Sequence, residues 1–427
     1  MPKKLGKLSR SVSIIGVGCT PFMETLANPE TQGLCAAELF GWAALDAMAD
    51  AGVESKDVDT YFHGEAAPFY FSDIITPNMH VAEWFGMRGK PSAHHSEACC
   101  SGYIALDLAV NAVAAGKHDI VLSGCVEMTC SKPVRNKPAH MREYWGGEDF
   151  VDVLATVYDK AYTRFLGAGP LAALDNVAAW YCREYGLTDE QMDDVLNALA
   201  INLRRGAARH PLAFHQKEYK DIAEEAGFDD VMAYMKSYYN PKLSEYLRAS
   251  GFETRAEGAA AVIVCPTEMA KAFKQQPIEV LGIGAASLEG GHPHLERKGT
   301  EEALRQVYQV TGVKPDEIDL LMSNDFFITS GLLAGELSGY LPRGKGWQYI
   351  LDGRTAFDGD KPINPNGGRT SFGHAYAASG LADHYEAVKQ MRRQCGDRQV
   401  KKLPETTVLR GFGGGQNVTA AILRTIQ

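Results

Sequence analysis

The chain has no apolar run approaching the ~18 residues that a membrane span requires, so none of its 427 residues is read as a transmembrane helix. Met1 to Arg10 is basic, but no signal-peptide core or cleavage site follows it, and a cytoplasmic location is expected. Positive charge is not in excess. Lys and Arg number 43 against 53 Asp and Glu, a net charge of -10 that argues against nucleic-acid binding and against an anionic membrane surface. The nine cysteines are odd in number, scattered and without C-x-x-C spacing. That indicates neither a disulfide framework nor a zinc ribbon and fits reduced thiols. His94-His95 and His292-Pro293-His294 have no acidic or cysteine cluster at ligand spacing, so no metal site is expected. Two nucleotide signatures are also missing. No G-K-[ST] follows Gly413-Gly414-Gly415, and Pro21 stands where Gly16-x-Gly18 would need its third glycine.

What is present is an ordinary globular composition, 45% hydrophobic and 22% charged, in a chain longer than one core usually serves. Ile14-Ile15-Gly16-Val17-Gly18 is a strand running into glycines, and Val280-Leu281-Gly282-Ile283-Gly284 repeats it far downstream. Each is followed by a helix pattern and a similar turn, Gly52 to Asp59 and Gly312 to Asp319. Each turn leads into a short apolar strand, Thr60 to His63 and Leu320 to Ser323. Two α/β halves of alternating strands and helices are therefore expected. Residues 1–128 with 256–270 make the first half and 271–427 the second. Residues 129–255 form an inserted loop domain, rich in aromatics: Tyr144, Trp145, Phe150, Tyr158, Tyr162, Phe165, Phe214, Tyr234, Tyr238 and Tyr239. Thr188 and Gln191 form a capping box that starts a helix within it, and an insertion of this kind usually covers a site.

Three segments carry chemistry. Cys99-Cys100-Ser101-Gly102 ends an extended stretch and opens a helix pattern, where the positive end of the helix would favour a nucleophilic thiolate. Asn364-Pro365-Asn366-Gly367-Gly368 precedes Ser371-Phe372-Gly373-His374-Ala375, whose flanking glycines let a ligand approach the imidazole closely. Gly413-Gly414-Gly415 offers bare amide N–H groups to an anion.

Together these residues resemble the thiolase superfamily over nearly the whole chain. Cys99-Cys100-Ser101-Gly102 is similar to its C-x-S-G nucleophile motif, and Asn364 to Gly380 resembles the motif holding its catalytic histidine, here His374. Asn324-Asp325-Phe326-Phe327 is similar to N-E-A-F, whose asparagine holds a water in an oxyanion hole. Gly124-Cys125-Val126-Glu127-Met128 and Glu257-Gly258-Ala259-Ala260-Ala261 resemble two further family strands. Arg205 to Ala213 favours the sterol-carrier-protein type. The resemblance implies a five-layered αβαβα fold from two duplicated βαβαβαββ halves, assembled as a homodimer or dimer of dimers. It implies cleavage of a 3-oxoacyl-CoA by CoA, a co-substrate, through an acyl group on Cys99, with no permanently bound cofactor. His374 and an Asn324-bound water would hold the enolate, and backbone N–H groups of Cys99, Gly413, Gly414 and Gly415 the tetrahedral oxyanion. The aromatic insert suggests a bulky or aromatic acyl group such as benzoylsuccinyl-CoA.

The chain departs from the pattern at one place. Thiolases carry a second cysteine as acid/base, but Gly411 and Phe326 stand at the two positions where it is found. Cys125, Cys100, His63 and Tyr376 are the candidates for moving that proton. The loss also leaves open an aldolase-type C–C lyase on CoA esters, or a subunit that depends on a small zinc-ribbon/OB-fold partner or is itself non-catalytic.

Overall fold

The computed structural model describes residues 6–68, 72–145, 170–287, 295–414 and 417–426. Phe150, Tyr158, Tyr162, Phe165, the histidines 292 and 294, and Gly415 lie outside these. Nine strands hydrogen-bond into one continuous sheet, in the order β3-β2-β4-β7-β1-β8-β11-β10-β9. The first half supplies β1 (Val12–Cys19), β2 (Thr60–Gly64), β3 (Ser92–His95), β4 (Val121–Met128) and β7 (Glu257–Pro266). The second supplies β8 (Ile278–Ser287), β9 (Leu320–Ser323), β10 (Thr406–Phe412) and β11 (Asn417–Thr425). The order β2-β4-β7-β1 is repeated as β9-β10-β11-β8, and the two copies meet antiparallel where Val12 to Ile14 pairs with Ile278 to Val280. In place of a second β3, Ile363 makes a single parallel bridge to Leu321.

Seven helices of ten residues or more are described: α1 (Ala36–Ala51), α2 (Ser101–Ala114), α3 (Pro170–Tyr185), α4 (Asp189–Ala207), α5 (Leu295–Thr311), α6 (Ile328–Leu337) and α7 (Tyr376–Met391). Strand alternation assigns them to layers. In β7, Ala260, Val262 and Val264 pack with α2 and α7, while Ala259, Ala261 and Ile263 pack with α1. In β11, Ala421 and Leu423 join the α2/α7 core, and Val418, Ala420 and Ile422 face α5 and α6. Hence α2 and α7 form a helical layer between the two half-sheets, with α1 outside one half and α5 and α6 outside the other. This is the layered, duplicated α/β fold that the sequence repeats imply. Both faces of the central strands are covered, which explains why β7 is an unbroken apolar run.

Between β4 and β7 the chain forms the β5 (Ser131–Pro133) and β6 (Arg142–Tyr144) pair, then α3, α4 and shorter helices. α4 begins as its sequence predicts. The Thr188 hydroxyl accepts from Gln191 N–H at 3.2 Å, and the Gln191 side chain accepts from Thr188 N–H at 2.9 Å. No helix among the described residues is long and apolar enough to cross a membrane.

The middle layer depends on two glycines. A Cβ on Gly102 of α2 would lie 2.5 Å from Leu381 N, 2.6 Å from Ala377 O and 2.7 Å from the Gly380 Cα of α7. The helices thus touch backbone to backbone at Gly102 and Gly380. Gly102→Ala is expected to lower stability by about 1–3 kcal/mol through this overpacking, read from urea denaturation. An unchanged midpoint and slope would contradict the contact.

Candidate active site

Cys99 follows β3 through a tight turn. Ala98 sits at φ +48°, a left-handed conformation that costs a residue with a Cβ. The Ser101 hydroxyl holds the turn closed, accepting from Glu97 N–H at 2.8 Å and donating to the Ala98 carbonyl at 2.7 Å. This is what the serine of C-x-S-G does here. α2 starts at Ser101 with Cys100 at its cap, so Cys99 lies one residue outside the helix.

His374 comes from the other half, 275 residues away in sequence. It follows Gly373, whose φ of +118° requires glycine. Its backbone is clamped by the chain entering β7: His374 N–H donates to the Thr254 carbonyl at 2.7 Å, and Ala256 N–H donates to the His374 carbonyl at 3.2 Å. Ser379, in the first turn of α7, accepts from Ala375 N–H at 2.9 Å and lies 3.1 Å from His374 Nδ1. That bond fixes the ring so that Nε2 points at Cys99 Sγ, 3.3 Å away.

A third group joins them that sequence reasoning missed. Glu253 Oε2 lies 3.4 Å from the same His374 Nε2, and its Oε1 accepts from the Tyr376 hydroxyl at 3.3 Å. The Tyr376 ring meets the His374 ring edge-on at 4.8 Å and packs against Cys99. Glu253 sits four residues before β7 in a segment with no motif. It reaches the site only because Thr254 and Ala256 are bonded to the His374 backbone.

The electrostatics differ from the helix-start expectation for Cys99. Burial, reinforced by Glu253, pushes the thiol well above its usual range, and only Arg369 and a hydrogen bond from Gly414 N–H pull the other way. Burial likewise holds His374 far below the usual imidazole range, helped by Arg369. Burial raises Glu253 to about 8. At neutral pH the resting site is therefore a thiol, a neutral imidazole and a protonated carboxyl. A thiol that donates to Nε2 requires the imidazole proton on Nδ1, facing Ser379.

The glycine loop is partly reassigned. Gly413 N–H is not free for an oxyanion, because it donates to the Asn417 carbonyl at 2.9 Å in the β10–β11 turn. Gly414 N–H is the donor aimed at the Cys99 sulfur. Asn324 braces this loop: its Nδ2 donates to the Phe412 carbonyl at 2.5 Å, and its Oδ1 accepts from Phe326 N–H at 3.1 Å. Both ends of the carboxamide thus bond the main chain, leaving one Nδ2–H and one Oδ1 lone pair beyond these contacts.

Of the four acid/base candidates, Tyr376 is the one brought against Cys99 and His374. Cys100 Sγ turns to Thr419 Oγ1 at 3.4 Å. Cys125 lies inside β4 against Gly64, where a Cβ would stand 2.5 Å from its sulfur. His63 Nε2 bonds Glu65 Oε1 at 2.9 Å, and its ring stacks on Phe40. The missing second cysteine has a steric explanation. A Cβ at Gly411 would lie 2.4 Å from Tyr103 Cδ2, and Tyr103 is held there by its hydroxyl on Asp383. At the other position, Phe326 packs in the apolar core against Phe327 and Phe412. No cluster of three or more metal-ligating side chains occurs among the described residues.

The fold and this site define an acyltransferase. A model of the thiolase N-terminal domain matches residues 12–196, and a thiolase C-terminal domain-like model matches residues 290–425. The chain belongs to the thiolase family, whose members use CoA as a substrate. It is 30% identical to an acetyl-CoA acetyltransferase of Methanothermobacter thermautotrophicus over 97% of this chain and 98% of that protein. It is 29% identical to the benzoylsuccinyl-CoA thiolase subunit BbsB of Thauera aromatica, over 96% of each. Among solved structures the Ltp2-ChsH2(DUF35) aldolase superposes with a TM-score of 0.75 at 21% identity, covering 97% of this chain and 98% of that one.

Because burial raises the Cys99 thiol, iodoacetamide labelling of Cys99 should keep accelerating beyond about pH 9. A plateau reached below pH 7 would show a preformed thiolate and contradict this electrostatic account.

Proposed function

We propose that this protein is a degradative thiolase, cleaving a 3-oxoacyl-CoA with CoA through an acyl-Cys99 intermediate. The observation that carries the reading is the convergence of Cys99 Sγ at 3.3 Å and Glu253 Oε2 at 3.4 Å on one nitrogen, His374 Nε2. His374 takes the thiol proton as the sulfur attacks the 3-oxo carbon. Gly414 N–H, already directed at the sulfur, and Cys99 N–H face the developing oxyanion. The C2–C3 bond breaks, its electron pair passes to the leaving thioester enolate, and the Glu253 carboxyl protonates C2. Acetyl-CoA or its substituted equivalent leaves. In the second half, CoA gives its thiol proton to the Glu253 carboxylate and attacks acyl-Cys99. The departing Cys99 thiolate recovers its proton from His374, and all three groups return to their starting states. Glu253 thus takes the task of the absent second cysteine, oriented by the Tyr376 hydroxyl.

A bulky or aromatic acyl group is supported by similarity to the benzoylsuccinyl-CoA thiolase subunit. A homodimer or dimer of dimers is supported by exposed Trp42, Leu45, Met79 and Trp84 in the first half. A small partner subunit is supported by the two-component relatives. Nine free cysteines fit a reducing cytoplasm.

Mass spectrometry after incubation with a 3-oxoacyl-CoA and no CoA should find one acyl adduct, on Cys99, and Cys99→Ala should lack it. No adduct together with full turnover by Cys99→Ser would overturn the reading, and an aldehyde or ketone product formed without CoA would favour the aldolase. Glu253→Gln should lower kcat by roughly 10²–10⁴-fold. The acid form of Glu253 is needed for cleavage and is lost as pH rises through about 8. The wild-type rate of enzyme acylation should therefore fall above that pH, and this limb should be absent in Glu253→Gln. An unchanged pH profile would remove Glu253 from the proton path.

A further inference from the structure

Glu253 borders a second space. A cleft of 230 Å³ opens beside it, walled by Arg204, Tyr219, Tyr234, Tyr239 and Phe252. Arg204 stands near the C-terminal end of α4 and is 6% exposed. Its Nε donates to Ser371 Oγ at 3.1 Å, its Nη2 donates to the Tyr219 hydroxyl at 2.9 Å, and the guanidinium lies 4.3 Å from the Tyr219 ring centre. All of these partners are neutral side chains. The buried guanidiniums of Arg369, Arg392 and Arg398 face Asp383, Asp50 and Glu386, whereas Arg204 has no carboxylate partner among the described residues. A buried charge without a counter-ion is costly, and a planar fork with one free edge suits a carboxylate.

We propose that this cleft receives the acyl part of the substrate and that Arg204 pairs with a carboxylate carried on it, so that the preferred substrates are 3-oxoacyl-CoA thioesters bearing a free acid group. The inference deepens the thiolase reading and rests on it. Glu253 contacts His374 and also lines the cleft, so the cleft begins one side chain away from the Cys99–His374 pair. The tyrosine and phenylalanine rings give the intervening carbons an apolar wall. Among the described residues lining the cleft, no other ionised group competes for the guanidinium. His215, the remaining basic lining residue, is held neutral by burial and by Arg204, down to about 3, and Glu253 is protonated at neutral pH.

The test is calorimetric titration of the Cys99→Ala protein, which binds without reacting, with 3-oxoadipyl-CoA and with its ω-methyl ester. The acid should bind at least about tenfold more tightly than the ester, as a charge-assisted pair would give. That preference should vanish in Cys99→Ala with Arg204→Gln and return in part with Arg204→Lys. Equal affinity for acid and ester with Arg204 in place overturns the inference, and this comparison needs no substitution at 204. Arg204→Gln weakening both ligands equally also overturns it, by assigning the guanidinium to a CoA phosphate. Thiolysis of the ester by the unmutated protein is read separately. Its absence, with the acid preference intact, counts against thiolysis and supports the anion site.

Discussion

The site exists because two helices touch through glycine. α2 and α7 come from opposite halves of a duplicated fold, and each presents a reactive residue just ahead of its first turn. With Gly102 against Gly380 the helices approach at backbone distance. Cys99, at the entrance to one, then meets His374, at the entrance to the other. A side chain at either position would push the helices apart, and with them a sulfur and a nitrogen that work at 3.3 Å. The rest of the molecule holds this pair in place. Ser101 closes the turn below the sulfur, Ser379 turns the ring, and the strand entering β7 bonds the histidine backbone.

The same packing removes water, and this sets the charge state of the chemistry. A cysteine near a helix start suggests a thiolate, yet Cys99 lies outside the helix cap and is partly buried, so desolvation outweighs the dipole. The consequence is a neutral resting site in which proton transfer accompanies each bond change and no ion pair waits in advance. Desolvation also makes Glu253 useful. A carboxyl in water would be ionised and unable to donate at neutral pH, but here burial keeps its proton until about pH 8. Tyr103 fills the space a cysteine at 411 would need, and a carboxyl from the insert approaches the imidazole from another direction.

Much of this was legible in the sequence. The duplicated strand-and-glycine openings pointed to two α/β halves, whereas the covering of β7 on both faces shows only in the packed layers. The motif around Cys99 and the glycine-framed His374 singled out two side chains that the fold brings together, since close backbone approach demands glycine at fixed spacing. Glu253 and Arg204 left no such trace. Each is an ordinary charged residue in the insert, placed by contacts with segments more than a hundred residues away. Hydrogen-bond competition was equally invisible. A run of three glycines reads as free N–H groups, but Gly413 has its own bonded to Asn417, and the Asn324 carboxamide, expected to hold a water, bonds the main chain at Phe412 and Phe326.

The central claim is that a buried, protonated carboxyl stands in for the second cysteine. Infrared difference spectroscopy of the resting enzyme, wild type minus Glu253→Gln, measures it directly. The account predicts a protonated-carboxyl C=O band at neutral pH that converts to carboxylate as pH passes about 8. A difference spectrum showing Glu253 already ionised at pH 6 would contradict it.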